Sequence, residues 1–175
     1  MGSQQRDFAE FYRESCDDCL RTVVVSVGNR DTAQDLVDEA FARAFASWRT
    51  VSGHPAPAAW VVRTALNANI SRWRRRRREV PVPDPGLLAD PAAVVDPAAV
   101  EGAAAGLVEP RIMAALLGLP ARQRQVVALR LFLDLDTGRT AEVLGIAPST
   151  VKAHLARAVA ALRDLIPIPH EEIPS

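Results

Sequence analysis

Residues 137–157 read TGRTAEVLGIAPSTVKAHLAR. The apolar spacing predicts two short helices, about Thr137–Leu144 and Pro148–Leu165, separated by Gly145-Ile146-Ala147. Two helices joined by a turn of roughly three or four residues containing glycine form a helix-turn-helix. Each position has a physical reason. Ala141 is small, so the helices can approach closely. Gly145 suits a helix end, where a left-handed backbone is often needed. Ile146, Val151 and Leu155 are placed to lock the second helix onto the first. Ser149, Thr150, Lys152, Ala153, Ala156 and Arg157 are then left more exposed. In this geometry the start of the second helix enters a DNA major groove. Its short polar groups meet base edges, while Lys152 and Arg157 meet phosphate or guanine. The competing reading is an ordinary helical hairpin.

Working outward, a helix over about Glu109–Leu117 is broken by Gly118-Leu119-Pro120. The next runs from about Ala121 to Leu133, with Val126, Val127, Leu129, Leu131 and Phe132 available for burial. Before these, residues 79–106 are rich in proline, alanine and aspartate. Proline blocks regular helix, so a linker with at most short helical pieces is expected.

The first block spans about Asp7 to Arg78. Phe8, Phe11, Tyr12, Cys19, Leu20, Val23, Val24 and Val27 recur near helical spacing until Gly28 and Asn29 stop that helix. Asp31 then reads as an N-cap with Gln34 as its capping-box partner. Ala33, Leu36, Val37, Ala40, Phe41, Ala44, Phe45 and Trp48 form a continuous apolar stripe on the next helix. Val51 to Pro57 reads as a loop. A third helix starts near Ala58, with Pro57 in its first turn. Its buried side is Ala59, Val62, Leu66, Ile70 and Trp73. Arg63, Asn67, Ser71, Arg74 and Arg78 lie about a turn apart on another, cationic side, which ends in the run Arg74 to Arg78.

The 175 residues suit two small domains, and the composition, 49% hydrophobic but 5% aromatic, favours helices over sheets. The net charge of zero hides blocks: residues 63–78 carry seven arginines and no acid, and residues 79–109 carry six acids and no base. Residues 110–166 hold eight bases against four acids. A neutral total with basic blocks is compatible with nucleic-acid binding. Cys16 and Cys19 have C-x-x-C spacing, but a zinc site needs about four ligands, and His54, His154 and His170 are scattered. No metal or cofactor is expected; the cysteines read as small side chains on one helix. No apolar run reaches the ~20 residues of a membrane span, the start is polar, and a cytoplasmic protein without membrane insertion is expected. No Gly-rich phosphate loop, metal cluster or nucleophile constellation appears, so no enzyme is expected.

Residues 119–130 (LPARQRQVVALR), followed by Ala141-Glu142-Val143-Leu144-Gly145-Ile146 and Thr150-Val151-Lys152, resemble region four of bacterial RNA polymerase sigma factors. Asp35-Leu36-Val37-Asp38-Glu39-Ala40-Phe41 resembles their region-two helix that docks on the polymerase clamp. Trp60-Val61-Val62-Arg63-Thr64-Ala65-Leu66-Asn67 resembles the helix after the promoter-melting loop. Two domains without an intervening one resemble the extracytoplasmic-function (ECF) subfamily. Several ordered motifs are far more specific than one helix-turn-helix.

The resemblance implies an all-α protein: region two over residues 7–78, a linker over 79–108 and region four over 109–166. It implies a sigma factor that binds core RNA polymerase through the largest-subunit clamp and the flap, and directs initiation at double-stranded promoter DNA. Asp35, Asp38, Glu39 and Phe41 would contact the clamp, although Phe41 also reads as core and the acids as a solvated face. Arg63, Asn67, Ser71, Arg74, Arg75 and Arg78 would act at the −10 element, whose flipped base the Val51–Pro57 loop would capture. Trp60 and Trp73 read either as base-stacking or as buried. Ser149, Thr150, Lys152, Ala153, His154, Ala156 and Arg157 would read the −35 element. The acidic linker would thread basic polymerase channels, or serve as a tether. An anti-sigma factor is an implied partner, and the working location would be the nucleoid. The runner-up is a stand-alone regulator, because Thr150-Val151-Lys152-Ala153-His154-Leu155 is similar to the recognition helix of LuxR-type proteins. Thr140 departs from a common aliphatic residue of the family.

Overall fold

The structure, a computed structural model, describes residues 2–79 and 106–165. The described residues form helices, turns and bends, with no strand among them. The all-α expectation therefore holds. Most of the linker (80–105) and the tail beyond Leu165, including His170, lie outside the described residues.

The first block has four helices: α1 Gly2–Val27, α2 Arg30–Ala46, the single turn α3 Trp48–Val51 and α4 Pro57–Glu79. Gly28 ends α1 with a left-handed backbone, φ 76°, which costs glycine nothing. The cap of α2 differs from expectation. Asn29, not Asp31, is the N-cap, its side chain accepting from Thr32 N–H at 2.8 Å. Asp31 falls instead in the first turn, where it favours the helix dipole, and Gln34 bonds Asp38. The expected loop is shorter at its start, because Val51 closes α3 and is buried. Glu79 belongs to α4 rather than to the linker.

Cys19, Val23 and Val24 from α1, Leu36, Val37, Ala40 and Ala44 from α2, and Val61, Val62 and Ala65 from α4 make the centre of this block, each at most 1% exposed. Small side chains let the helices close on one another, and removing such surface from water is the main stabilising term. Two residues expected to be buried, one in each block, are not. Phe45 on α2 is 47% exposed, and Leu131, expected in the second core, is 58% exposed.

The second block contains α5 Pro110–Leu117, α6 Ala121–Phe132, α7 Thr137–Leu144 and α8 Pro148–Leu165. Glu109 caps α5 by accepting from Ile112 N–H, with Pro110 in the first turn. Arg124 on α6 is 1% exposed. It donates to the carbonyls of Leu117 and Leu119, tying down the end of α5. Arg130 donates to Leu135 O in the turn before α7.

The two blocks are not separate beads. Buried residues of both belong to one continuous cluster, α1 packs against α6, and α4 packs against α7. Arg21 of α1 donates from Nε to the carbonyl of Leu107 at 2.9 Å, so the chain just before α5 is fastened to the first block.

Candidate functional site

The helix-turn-helix forms as its sequence dictates. Asp136 caps α7 by accepting from Arg139 N–H at 2.8 Å. Thr140, the departure from the family's common aliphatic residue, is fully buried and donates its hydroxyl to Asp136 O at 2.8 Å. Its polar group is therefore satisfied inside the fold. Gly145 takes φ 64° and ψ 37° and bonds back to Ala141 O, as does Ile146 N–H at 3.1 Å. Val126, Ala141 and Val151 then form a small core of their own, flanked by Leu144, Ile146 and Leu155. This core fixes the angle at which α8 leaves α7.

With Val151 and Ala158 turned inward, Ser149, Lys152, Ala153, Ala156 and Arg157 are exposed and Thr150 is half-buried. His154 differs: it is half-buried, and its Nδ1 is enclosed without a hydrogen-bond partner. Six of the seven −35 candidates thus share an accessible strip; His154 sits at its inner edge.

The second surface is α4. Arg63, Asn67, Ser71, Arg74 and Arg75 are all exposed along it. Arg78 is helical, but its side chain lies outside the described residues. Arg72 turns the other way, its guanidinium 2.7 Å from Glu39 on α2. In the loop before α4, Ala56 N–H donates to His54 Nδ1 at 3.0 Å. The neutral ring therefore carries its proton on Nε2, and His54 shapes the loop. Trp60 and Trp73 are half-buried. His54, Trp60 and Arg63 line a cavity of about 30 Å³ whose other wall is Arg139, Glu142 and Val143 of α7. That is room for a water or two, so the helix-turn-helix lies directly against the loop and the start of α4.

The third surface is α2. Asp35 and Asp38 are exposed. Phe41 is only 3% exposed, packed on Phe8, Phe11 and Tyr12 with ring centroids 4.8–6.5 Å apart. It is buried, as its place in the apolar stripe implies, and reaches the surface only as part of the wall of a hollow beside Asp38. Glu39 is bridged to Arg43 at 2.5 Å and to Arg72 at 2.7 Å, so both its oxygens are engaged within the chain. Sequence reasoning missed an open hollow of about 340 Å³ beside Asp38, lined by Phe8, Tyr12, Phe41, Ala42 and Phe45. The available signal was Phe45, seven residues after Asp38 and thus on its face of α2. A hydrogen bond with Cys16 is the main cause that pushes the Tyr12 phenol up to about 12. Burial pushes the Cys19 thiol up as well. Both cysteines are free thiols.

Comparison with known proteins follows the same division. The family description "Sigma-70 region 2" matches residues 17–79, and "Sigma-70, region 4" matches residues 110–162. The chain is 34% identical over 158 residues to an RNA polymerase sigma-E factor of Streptomyces coelicolor, covering 90% of this chain and 85% of the relative. It is 31% identical to the ECF RNA polymerase sigma factor EcfG of Rhodopseudomonas palustris, covering 84% of this chain and 78% of that one. Among solved structures, the sigma factor RpoE of Bartonella quintana, in complex with the anti-sigma factor NepR, superposes with a TM-score of 0.69 at 24% identity. That match covers 91% of this chain and 96% of the other, and shows a shared fold.

Proposed function

The chain belongs to the sigma-70 family as an ECF-type RNA polymerase sigma factor, and we propose a residue-level division of its work in promoter-specific initiation. Sigma factors bind core RNA polymerase and promoter DNA and are themselves non-catalytic. The stand-alone regulator is set aside, because region two occupies the part of the chain such a protein would use for sensing.

One observation carries the division: two separate exposed surfaces suited to DNA stand on one chain, the cationic face of α4 and the start of α8. The first, with Arg63, Asn67, Ser71, Arg74, Arg75 and Arg78, engages the −10 element. The second, with Ser149, Thr150, Lys152, Ala153, Ala156 and Arg157 and His154 at its edge, enters the −35 major groove. Asp35 and Asp38 meet the polymerase clamp, and the aromatic hollow beside Asp38 receives apolar side chains of the same partner. The units 7–78 and 109–166 act as separate domains on DNA, joined by the linker 79–108. We further infer that an anti-sigma protein is a partner, that the chain carries no chemistry of its own, and that it works at the nucleoid. No described helix is long and apolar enough to cross a membrane.

The two DNA surfaces cannot serve one promoter in the arrangement seen. The −10 and −35 elements lie about 25 base pairs apart, or about 85 Å along B-DNA, whereas α4 touches α7. Residues 80–109 connect α4 to α5 and reach about 100 Å at full extension, so separation of the blocks is sterically allowed.

Run-off transcription with core polymerase on a library of promoter fragments tests the reading. Specific initiation that requires the chain, and weakens on substitution of Lys152, Arg157 or Asn67, supports it. Duplex binding by the chain alone, without core binding or initiation, refutes it.

A further inference from the structure

The basic end of α4 runs on beyond its last apolar side chain. After Trp73 come five arginines, Arg74 to Arg78, and no apolar side chain before the helix ends at Glu79. Ile70 and Trp73 are only half-buried. Adjacent guanidinium groups repel one another. Across from it, on α2, Glu39 is half-buried. One carboxylate oxygen accepts from Arg43 at 2.5 Å and the other from Arg72 at 2.7 Å. Arg43 is one helical turn from Glu39 on the same helix, so it fixes the carboxylate's rotamer. Arg72 is 33 residues away in sequence, so the second bond joins two helices.

We propose that Glu39 is a positioning residue for the −10 surface: its carboxylate, braced by Arg43, holds Arg72 and thereby sets the lie of the cationic end of α4. It acts on promoter DNA through Arg72 and not by touching polymerase. Arg72 stands about 100° round the helix from Ser71 and about 160° from Arg74, so anchoring it inward turns those two outward, with Arg75 at the edge between. This assignment rests on the placement of the α4 face at the −10 element.

The test compares the full chain with Glu39→Gln, Arg72→Gln and the double variant, each reconstituted with core polymerase. Two affinities are measured: chain for core, and holoenzyme for a promoter fragment carrying a pre-melted −10 element. Each single variant is expected to keep core affinity within about twofold and to weaken DNA binding roughly threefold, the scale of a partly exposed ion pair. The double variant is expected to be no worse than either single one, since both remove the same strut. Loss of core affinity in Glu39→Gln alone, additive losses on DNA, or unchanged DNA binding in both single variants would overturn the proposal. Amide hydrogen exchange on the free chain supplies a readout independent of transcription. Both variants are expected to speed exchange in the last turns of α4, and unchanged exchange there overturns the proposal even if the chain proves not to initiate.

Discussion

Breaking the fastening between Arg21 and Leu107 should make the chain easier to open. Arg21→Ala removes one charge-assisted hydrogen bond, 2.9 Å long, between α1 and the residue that leads into α5. Such bonds contribute roughly 1.5–3 kcal/mol when enclosed. Here the side chain is 32% exposed and also pairs with Asp18 at 2.7 Å, so water replaces part of what is lost. About 1 kcal/mol remains, or about a fivefold shift toward the separated state. The assay is energy transfer between dyes at Gly53→Cys and Ala160→Cys, exposed positions in the first and second blocks. Cys16→Ser removes the more accessible native thiol, and Cys19 is enclosed. Transfer should be high in the free chain and lost with core polymerase and promoter, where the elements lie about 85 Å apart. Arg21→Ala should lose transfer at about fivefold lower core concentration, because less of the binding energy is spent on separation. Low transfer in the free parent chain, or an unshifted midpoint in Arg21→Ala, would refute the reasoning.

Gly145→Ala should lower the thermal midpoint by about 3 °C, the effect of about 1 kcal/mol in a chain of this size. A Cβ there meets nothing within 4 Å, so the cost lies in the backbone at φ 64°; circular dichroism melting checks it. Lys152→Ala and Arg157→Ala should each weaken −35 duplex binding by holoenzyme. A uniform loss with a salt slope reduced by about one marks a phosphate contact, and a loss confined to one base position marks guanine. Tyr12 is the sole tyrosine, so phenolate absorbance should titrate with a midpoint near 12 in the native protein. Because the folded value lies above the unfolded one of about 10, this group's contribution to stability is complete below pH ~10 and lost as pH rises toward 12. A midpoint near 10 with the fold intact would count against the Tyr12–Cys16 hydrogen bond.

Local features were legible from the chain because local rules govern them. Gly145 and Pro148 punctuate the helix-turn-helix so firmly that α7 and the start of α8 fall where periodicity puts them. Asp31 misled because two Asx residues, Asn29 and Asp31, competed for one cap. Asn29 won by directly following the left-handed Gly28, where the chain is already extended at φ −142°. Phe45 continues the apolar stripe in sequence, but α1 covers it on one side only, through Phe8 at a ring-centroid distance of 5.0 Å; spacing alone does not say how wide a neighbour is. The count of eight bases in residues 110–166 overstated the outward charge, since Arg124 is enclosed against carbonyls and Arg130 bonds Leu135 O. Contacts between distant segments, Glu39 with Arg72 and Arg21 with Leu107, leave no periodic trace, and neither does the packing of α1 on α6.

That packing changes how a partner meets the chain. Two surfaces joined by a covalent connection of thirty residues, 80–109, face each other at an effective concentration in the millimolar range. Affinity in the millimolar range between the severed halves would therefore be enough to keep the chain half closed. Any protein that binds the inner face of either block competes with a built-in rival at that concentration. One that grips both outer faces at once meets no such rival, and it makes the closed arrangement more persistent.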